Sequence, residues 1–98
     1  MKAIYKTPLE FRPDRQVVEV MLPPGAKPLA LQLQNFIPTV WWLVEPRPIR
    51  FHDPAEDEVV SMEKVRLRVV GTGHHIEDRW VYVGTWQMNA YVWHAFII

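Results

Sequence analysis

The stretch Arg79-Trp80-Val81-Tyr82-Val83-Gly84-Thr85-Trp86-Gln87-Met88-Asn89-Ala90-Tyr91-Val92-Trp93-His94-Ala95-Phe96 decides the fold. Large rings recur in it at even spacing: Trp80, Tyr82 and Trp86, then Tyr91 and Trp93. Successive side chains of a β-strand alternate between faces, so this spacing sets each group on one face of its strand. The opposite neighbours Val81, Val83, Val92 and Phe96 are also apolar. The segment therefore reads as a hairpin, with strands over 81–86 and 91–97, that is hydrophobic on both sides. A two-layer domain needs only one core face from each strand. The second face then requires a cover: a loop, a ligand or a partner chain, most simply another copy of the protein.

The rest of the chain supplies the remaining strands. Residues 64–70 alternate, with Val65, Leu67 and Val69 opposite Lys64, Arg66 and Arg68. Residues 29–36 alternate as well, with Leu29, Leu31 and Leu33 on one face and Gln32 and Gln34 on the other. Residues 39–44 return as a strand carrying Trp41 and Trp42, and residues 3–6 and 16–21 are short β-branched or aromatic runs stopped by proline turns. Nine prolines fall between Pro8 and Pro54, and helical apolar spacing is scarce. About seven strands with turn chemistry between them predict an all-β protein, an antiparallel sandwich or a small barrel. The exception is residues 45–61, where Pro46, Pro48 and Pro54 meet the acidic cluster Asp53, Glu56, Asp57 and Glu58. This reads as one long loop with a single helical turn over 54–58, capped by Asp53.

Size and composition bound the function. Ninety-eight residues make one domain, 1–98. Lys plus Arg equals Asp plus Glu, 11 against 11, so no large counterion-releasing surface for long nucleic acid is expected. There is no cysteine, which removes disulfides, thiol catalysis and cysteine-based zinc sites together. No run is apolar enough for a signal peptide or a membrane span, so a cytoplasmic location is expected.

Several residues invite a functional reading, and each has a plainer one. Lys64, Arg66 and Arg68 form a basic stripe, suited to pairing phosphate or carboxylate oxygens through the planar guanidinium fork. A solvated strand face has the same pattern. Gly71-Thr72-Gly73-His74 has the composition of an amide nest for an anion, or of a turn that needs positive φ at a glycine. Trp80, Tyr82, Trp86 and Trp93 are either core or stacking surfaces for a nucleobase. His52, His74, His75 and His94 show no metal-ligand spacing, so no metal and no cofactor is expected. Thr72 or Thr85 with His74 or His94 can be drawn as nucleophile and base, but no spacing supports it, so an enzyme is the weaker reading.

The opening Met1-Lys2-Ala3-Ile4-Tyr5-Lys6-Thr7-Pro8-Leu9-Glu10 resembles the start of a family of small phage and prophage proteins. The pattern continues in Leu22-Pro23-Pro24-Gly25-Ala26-Lys27, Gln32-Leu33-Gln34-Asn35, Trp42-Leu43-Val44-Glu45, Gly71-Thr72-Gly73-His74, Tyr82-Val83-Gly84-Thr85-Trp86-Gln87 and Val92-Trp93-His94-Ala95-Phe96. It covers most of the chain outside the 46–63 loop. The resemblance carries no assigned activity and no catalytic residue. It implies a phage accessory protein in the cytoplasm of an infected bacterium, of a kind that often blunts host defence. The expectation that follows is a homo-oligomeric, non-enzymatic sponge for a nucleotide-derived immune signal. The ligand-binding residues would be Arg66, Arg68, Gly71, Thr72, Gly73, His74, Trp80, Tyr82, Trp86 and Trp93. A protein-binding inhibitor of a host defence factor, using the acidic loop, and a virion or assembly component are the alternatives.

Overall fold

The computed structural model describes residues 1–10, 12, 16–46, 48–49 and 59–98. Its strands are β1 (Ala3–Pro8), β2 (Val17–Leu22), β3 (Lys27–Gln34), β4 (Ile37–Val44), β5 (Pro48–Ile49), β6 (Val59–Val60), β7 (Glu63–Gly71), β8 (Val81–Met88) and β9 (Tyr91–Ile97). Three of them form a sheet in the order β1-β4-β3, and four form a second sheet in the order β2-β7-β9-β8. Every pairing in both sheets is antiparallel. The all-β expectation therefore holds, as a sandwich of three and four strands and not as a closed barrel. The segment expected as one long loop carries the short antiparallel ladder β5–β6 near its ends. The expected helical turn over 54–58 and the acidic cluster lie outside the described residues.

Turn chemistry sets where the strands reverse. Gly25 follows Pro24 with φ 79°, the arrangement a type II turn needs between β2 and β3. Asn35 and Phe36 join β3 to β4 with φ of 50° and 65°, the two left-handed residues of a type I′ hairpin. Asn89, at φ 56°, turns β8 into β9. Asparagine tolerates this region; a phenylalanine there is unusual.

The core lies between the sheets. Val40, Trp42 and Val44 of β4 face Val18 and Leu22 of β2, Leu67 and Val69 of β7, Trp86 of β8 and Ala95 of β9, with Leu9 closing one end. The alternation read in β7 is the one observed. Trp42 is fully buried, and its indole N–H donates to the Thr7 hydroxyl at 2.8 Å, so the largest fully buried side chain leaves no orphan donor. Trp41, its neighbour in β4, points the other way and stays half-buried.

Two bulges break the strict alternation that the sequence suggests. In β3 the register shifts between Pro28 and Ala30, so Leu29 is the extra residue and is 52% exposed, while Leu31 packs against the core. In β8 the shift falls between Tyr82 and Gly84, which makes Val83 the extra residue. The two bulged strands are edges of different sheets and meet where the sandwich closes. There Leu31 sits directly over Gly84: a Cβ on that glycine would lie 2.5 Å from the Leu31 Cβ.

Candidate functional site

The Val83 bulge decides which rings face out. Tyr82 pairs with Phe96, and Thr85 pairs with His94, so these four side chains share the outer face of the four-stranded sheet. Trp86 pairs with Trp93 on the inner face, where Trp86 is buried in the core and Trp93 packs against it. The expectation that Tyr82 and Trp86 share one side is therefore corrected. One extra residue inverts the phase of everything before it.

The outer face gathers most of the other candidates. Register aligns Val17, Arg68, Phe96 and Tyr82 in one row across all four strands, with Val70, His94 and Thr85 in the next. Phe96 is buried although it lies outside the core cluster, because Trp80 and Tyr82 lean on it with ring centres 6.0 and 5.6 Å away. Trp80 thus reaches this face from the loop before β8 and remains half-buried, while Tyr82 is 55% exposed.

A chain of hydrogen bonds runs beside these rings. The Tyr82 hydroxyl is 2.6 Å from Thr85 Oγ1, which is 2.8 Å from His94 Nδ1. His94 Nε2 is in turn 2.8 Å from Thr72 Oγ1. Both ring nitrogens are engaged by hydroxyls, and a hydroxyl can donate or accept, so the ring is held in place in either tautomer. The chain ends at a cavity of about 190 Å³ lined by Gly71, Thr72, Gly73, His74, Ile76 and His94 together with the buried Val70 and Phe96.

The Gly71–His74 segment forms a turn. Gly73 takes φ 94°, and the His74 N–H bonds back to the Gly71 carbonyl at 3.3 Å. The Thr72 N–H is given to the Val92 carbonyl at 3.3 Å. Two of the amides of this loop, those of Thr72 and His74, are thus engaged within the chain. The same fact limits covalent chemistry. Thr72, His94 and Thr85 stand as hydroxyl, base and orienter, but the amides of Thr72 and His74 are not available to receive a developing oxyanion.

The basic stripe divides in two. Glu19 on β2 lies 3.5 Å from Lys64 Nζ and 3.7 Å from Arg66 Nε, all on exposed side chains. Such surface pairs contribute little stability, but the single Glu19 carboxylate offsets half of the positive charge of Lys64 and Arg66. Arg68, one pleat further on, is half-buried, and its Nε is buried with no hydrogen-bond partner among the described residues. Among those residues no group of three or more His, Asp and Glu side chains is placed to hold a metal ion.

A family model described as Domain of unknown function (DUF7352) matches residues 1–97. The chain belongs to this family. Membership covers the whole DUF7352 sandwich, both sheets included, and says nothing of a phage origin. No curated protein and no solved structure matches the chain.

The DUF7352 domain also has a larger cavity that sequence reasoning missed. An apolar cleft of about 690 Å³ opens at one end of the sandwich, lined by Leu9, Glu10, Phe36, Ile37, Pro38, Met88, Asn89, Tyr91 and Trp93. Two hairpin turns and the end of β1 converge there. Tyr91 and Trp93 stand with ring centres 6.1 Å apart along its wall. Of the ten predicted ligand residues, Arg66, Arg68, Gly71, Thr72, Gly73, His74, Trp80 and Tyr82 belong to the outer face and its adjoining turn. Trp86 belongs to the core and Trp93 to the cleft wall. The sequence signal that could have found the cleft is Phe36, an aromatic residue in a two-residue turn.

Proposed function

We propose that this protein binds a small anionic ligand with a flat ring, nucleotide-like in its chemistry, on the outer face of its four-stranded sheet. On this reading it holds the ligand without turning it over. The single observation that carries the proposal is Arg68, whose buried Nε lacks a partner among the described residues. A buried charged donor left unpaired is costly, and because the Arg68 side chain as a whole is only half-buried, a rotation of its guanidinium would bring that donor to a ligand oxygen. Glu19 lies against Lys64 and Arg66, which leaves Arg68 as the cation of the stripe with no carboxylate beside it among the described residues.

The rest of the face supports the same chemistry. Tyr82 lies on the row of Arg68 with β9 between them, about 10 Å away at two strand spacings, a span comparable to that from the base to the phosphate of a mononucleotide. Its exposed ring and the neighbouring Trp80 supply stacking, which is tolerant of base identity. Thr72 and His74 supply polar edges at the small cavity. Capture of a nucleotide-derived immune signal in an infected bacterium is the biological use that the phage resemblance suggests.

Calorimetry with inorganic phosphate, AMP, ADP-ribose and a cyclic dinucleotide tests the proposal. The nucleotides should bind more tightly than phosphate, and affinity should fall as salt is raised. Arg68→Ala should weaken binding by about 1.5–3 kcal/mol and Tyr82→Ala by about 1–3 kcal/mol. Trp86→Ala should instead unfold the domain, since that ring lies in the core. The proposal is wrong if no nucleotide binds more tightly than about 1 mM. Recovery of a chemically altered nucleotide would replace sequestration by catalysis.

A further inference from the structure

Phe36 is a bulky ring where the backbone favours glycine. Its φ of 65° places it in the left-handed region at the second position of a type I′ turn, and it is 87% exposed. A non-glycine residue in that region costs stability unless something compensates, and within its own chain this ring covers almost nothing. Phe36 stands on the rim of the apolar cleft of about 690 Å³, which it lines together with Leu9, Pro38, Met88, Tyr91 and Trp93. One end of the sandwich therefore carries both a projecting apolar knob and an apolar hole.

We propose that this end is a self-association surface, in which Phe36 of each copy enters the cleft of the other across a two-fold axis. A patch that holds both a knob and its receptor is self-complementary, which is the requirement of an isologous dimer. Charge fits the same pairing. Lys6 sits at the base of the knob, donating to Gln34 at 3.0 Å, and Glu10 lies on the lip of the hole. Insertion of Phe36 into the opposite cleft brings the cation of one copy toward the carboxylate of the other. The zero net charge of the chain sets up no overall repulsion against this association. The surface is separate from the Arg68 face, so dimerisation leaves that face open.

Sedimentation equilibrium on the full chain tests the proposal, with wild type expected as a concentration-dependent dimer. Phe36→Ser should weaken the dimer by about 30-fold or more, the size of an interface anchor. Phe36→Gly should weaken it as much and yet, at a concentration where both proteins are monomeric, raise the melting temperature by about 4 °C or more, because the turn strain is relieved. Lys6→Glu and Glu10→Lys should each weaken the dimer, and the double reversal should restore it. The proposal is overturned by a wild type that remains monomeric at about 1 mM, by Phe36→Ser with an unchanged dimer, or by a lipid or peptide co-purifying in the cleft in place of a second copy.

Discussion

Replacing Gly84 by alanine tests the closest approach between the two sheets. The new Cβ would lie 2.5 Å from the Leu31 Cβ and 3.4 Å from its Cγ and Cδ1. Carbon atoms rest at about 3.5–4.0 Å, so the Cβ pair is short by about 1 Å. The obstructing atom is a Cβ fixed to the backbone, and no rotamer change moves it away. β3 and β8 must separate, and such overpacking costs about 1–3 kcal/mol. Gly84 is not among the glycines at positive φ, so alanine also brings an unfolded-state gain of about 0.4–1 kcal/mol. At the middle of each range the net expectation is a loss of about 1.3 kcal/mol. In urea denaturation this appears as a lower midpoint at unchanged slope, and in thermal melts as about 4–8 °C per kcal/mol. Leu31→Ala in the same protein retains the offending Cβ and should not rescue it. Leu31→Gly removes that atom and should give a favourable coupling of at least about 0.5 kcal/mol in a double-mutant cycle. A neutral or stabilising Gly84→Ala would refute the reasoning, because the sheets would then have slack where the structure leaves none.

Two further substitutions probe separate parts of the fold. Thr7→Val removes the acceptor of the fully buried Trp42 indole N–H and should cost about 1–3 kcal/mol in denaturant unfolding, whereas Thr7→Ser should remain near wild type. Deleting Val83 takes out the bulge but keeps Tyr82 outward and Gly84 inward, since their partners Phe96 and Ala95 are already consecutive. That variant should lose about 1.5–3 kcal/mol from the missing side chain and yet retain nucleotide affinity by calorimetry. A loss of affinity at full folding would separate the bulge from simple register control.

Much of the fold was legible because alternation is a local signal. Residues 64–70 named both faces of β7 correctly, and the proline and glycine turn after Leu22 marked the end of β2. The site was only partly legible. Lys64, Arg66 and Arg68 read as one stripe, but which of them lacks a carboxylate depends on Glu19, a residue on another strand. Thr72 lies 22 residues and Thr85 nine residues from His94, and only the pairing of β7 with β9 and of β9 with β8 brings the two hydroxyls to one imidazole.

By itself the sequence determined an all-β chain, the approximate positions of its seven longer strands and the inner face of β7, because side-chain period and turn residues act over a few neighbours. Only the tertiary structure decided that Tyr82 faces solvent while Trp86 is buried, that Leu31 rests on Gly84, and that a cleft opens beside Phe36. Those outcomes depend on a single bulged residue and on how two sheets meet, and neither leaves a periodic trace in the order of the amino acids.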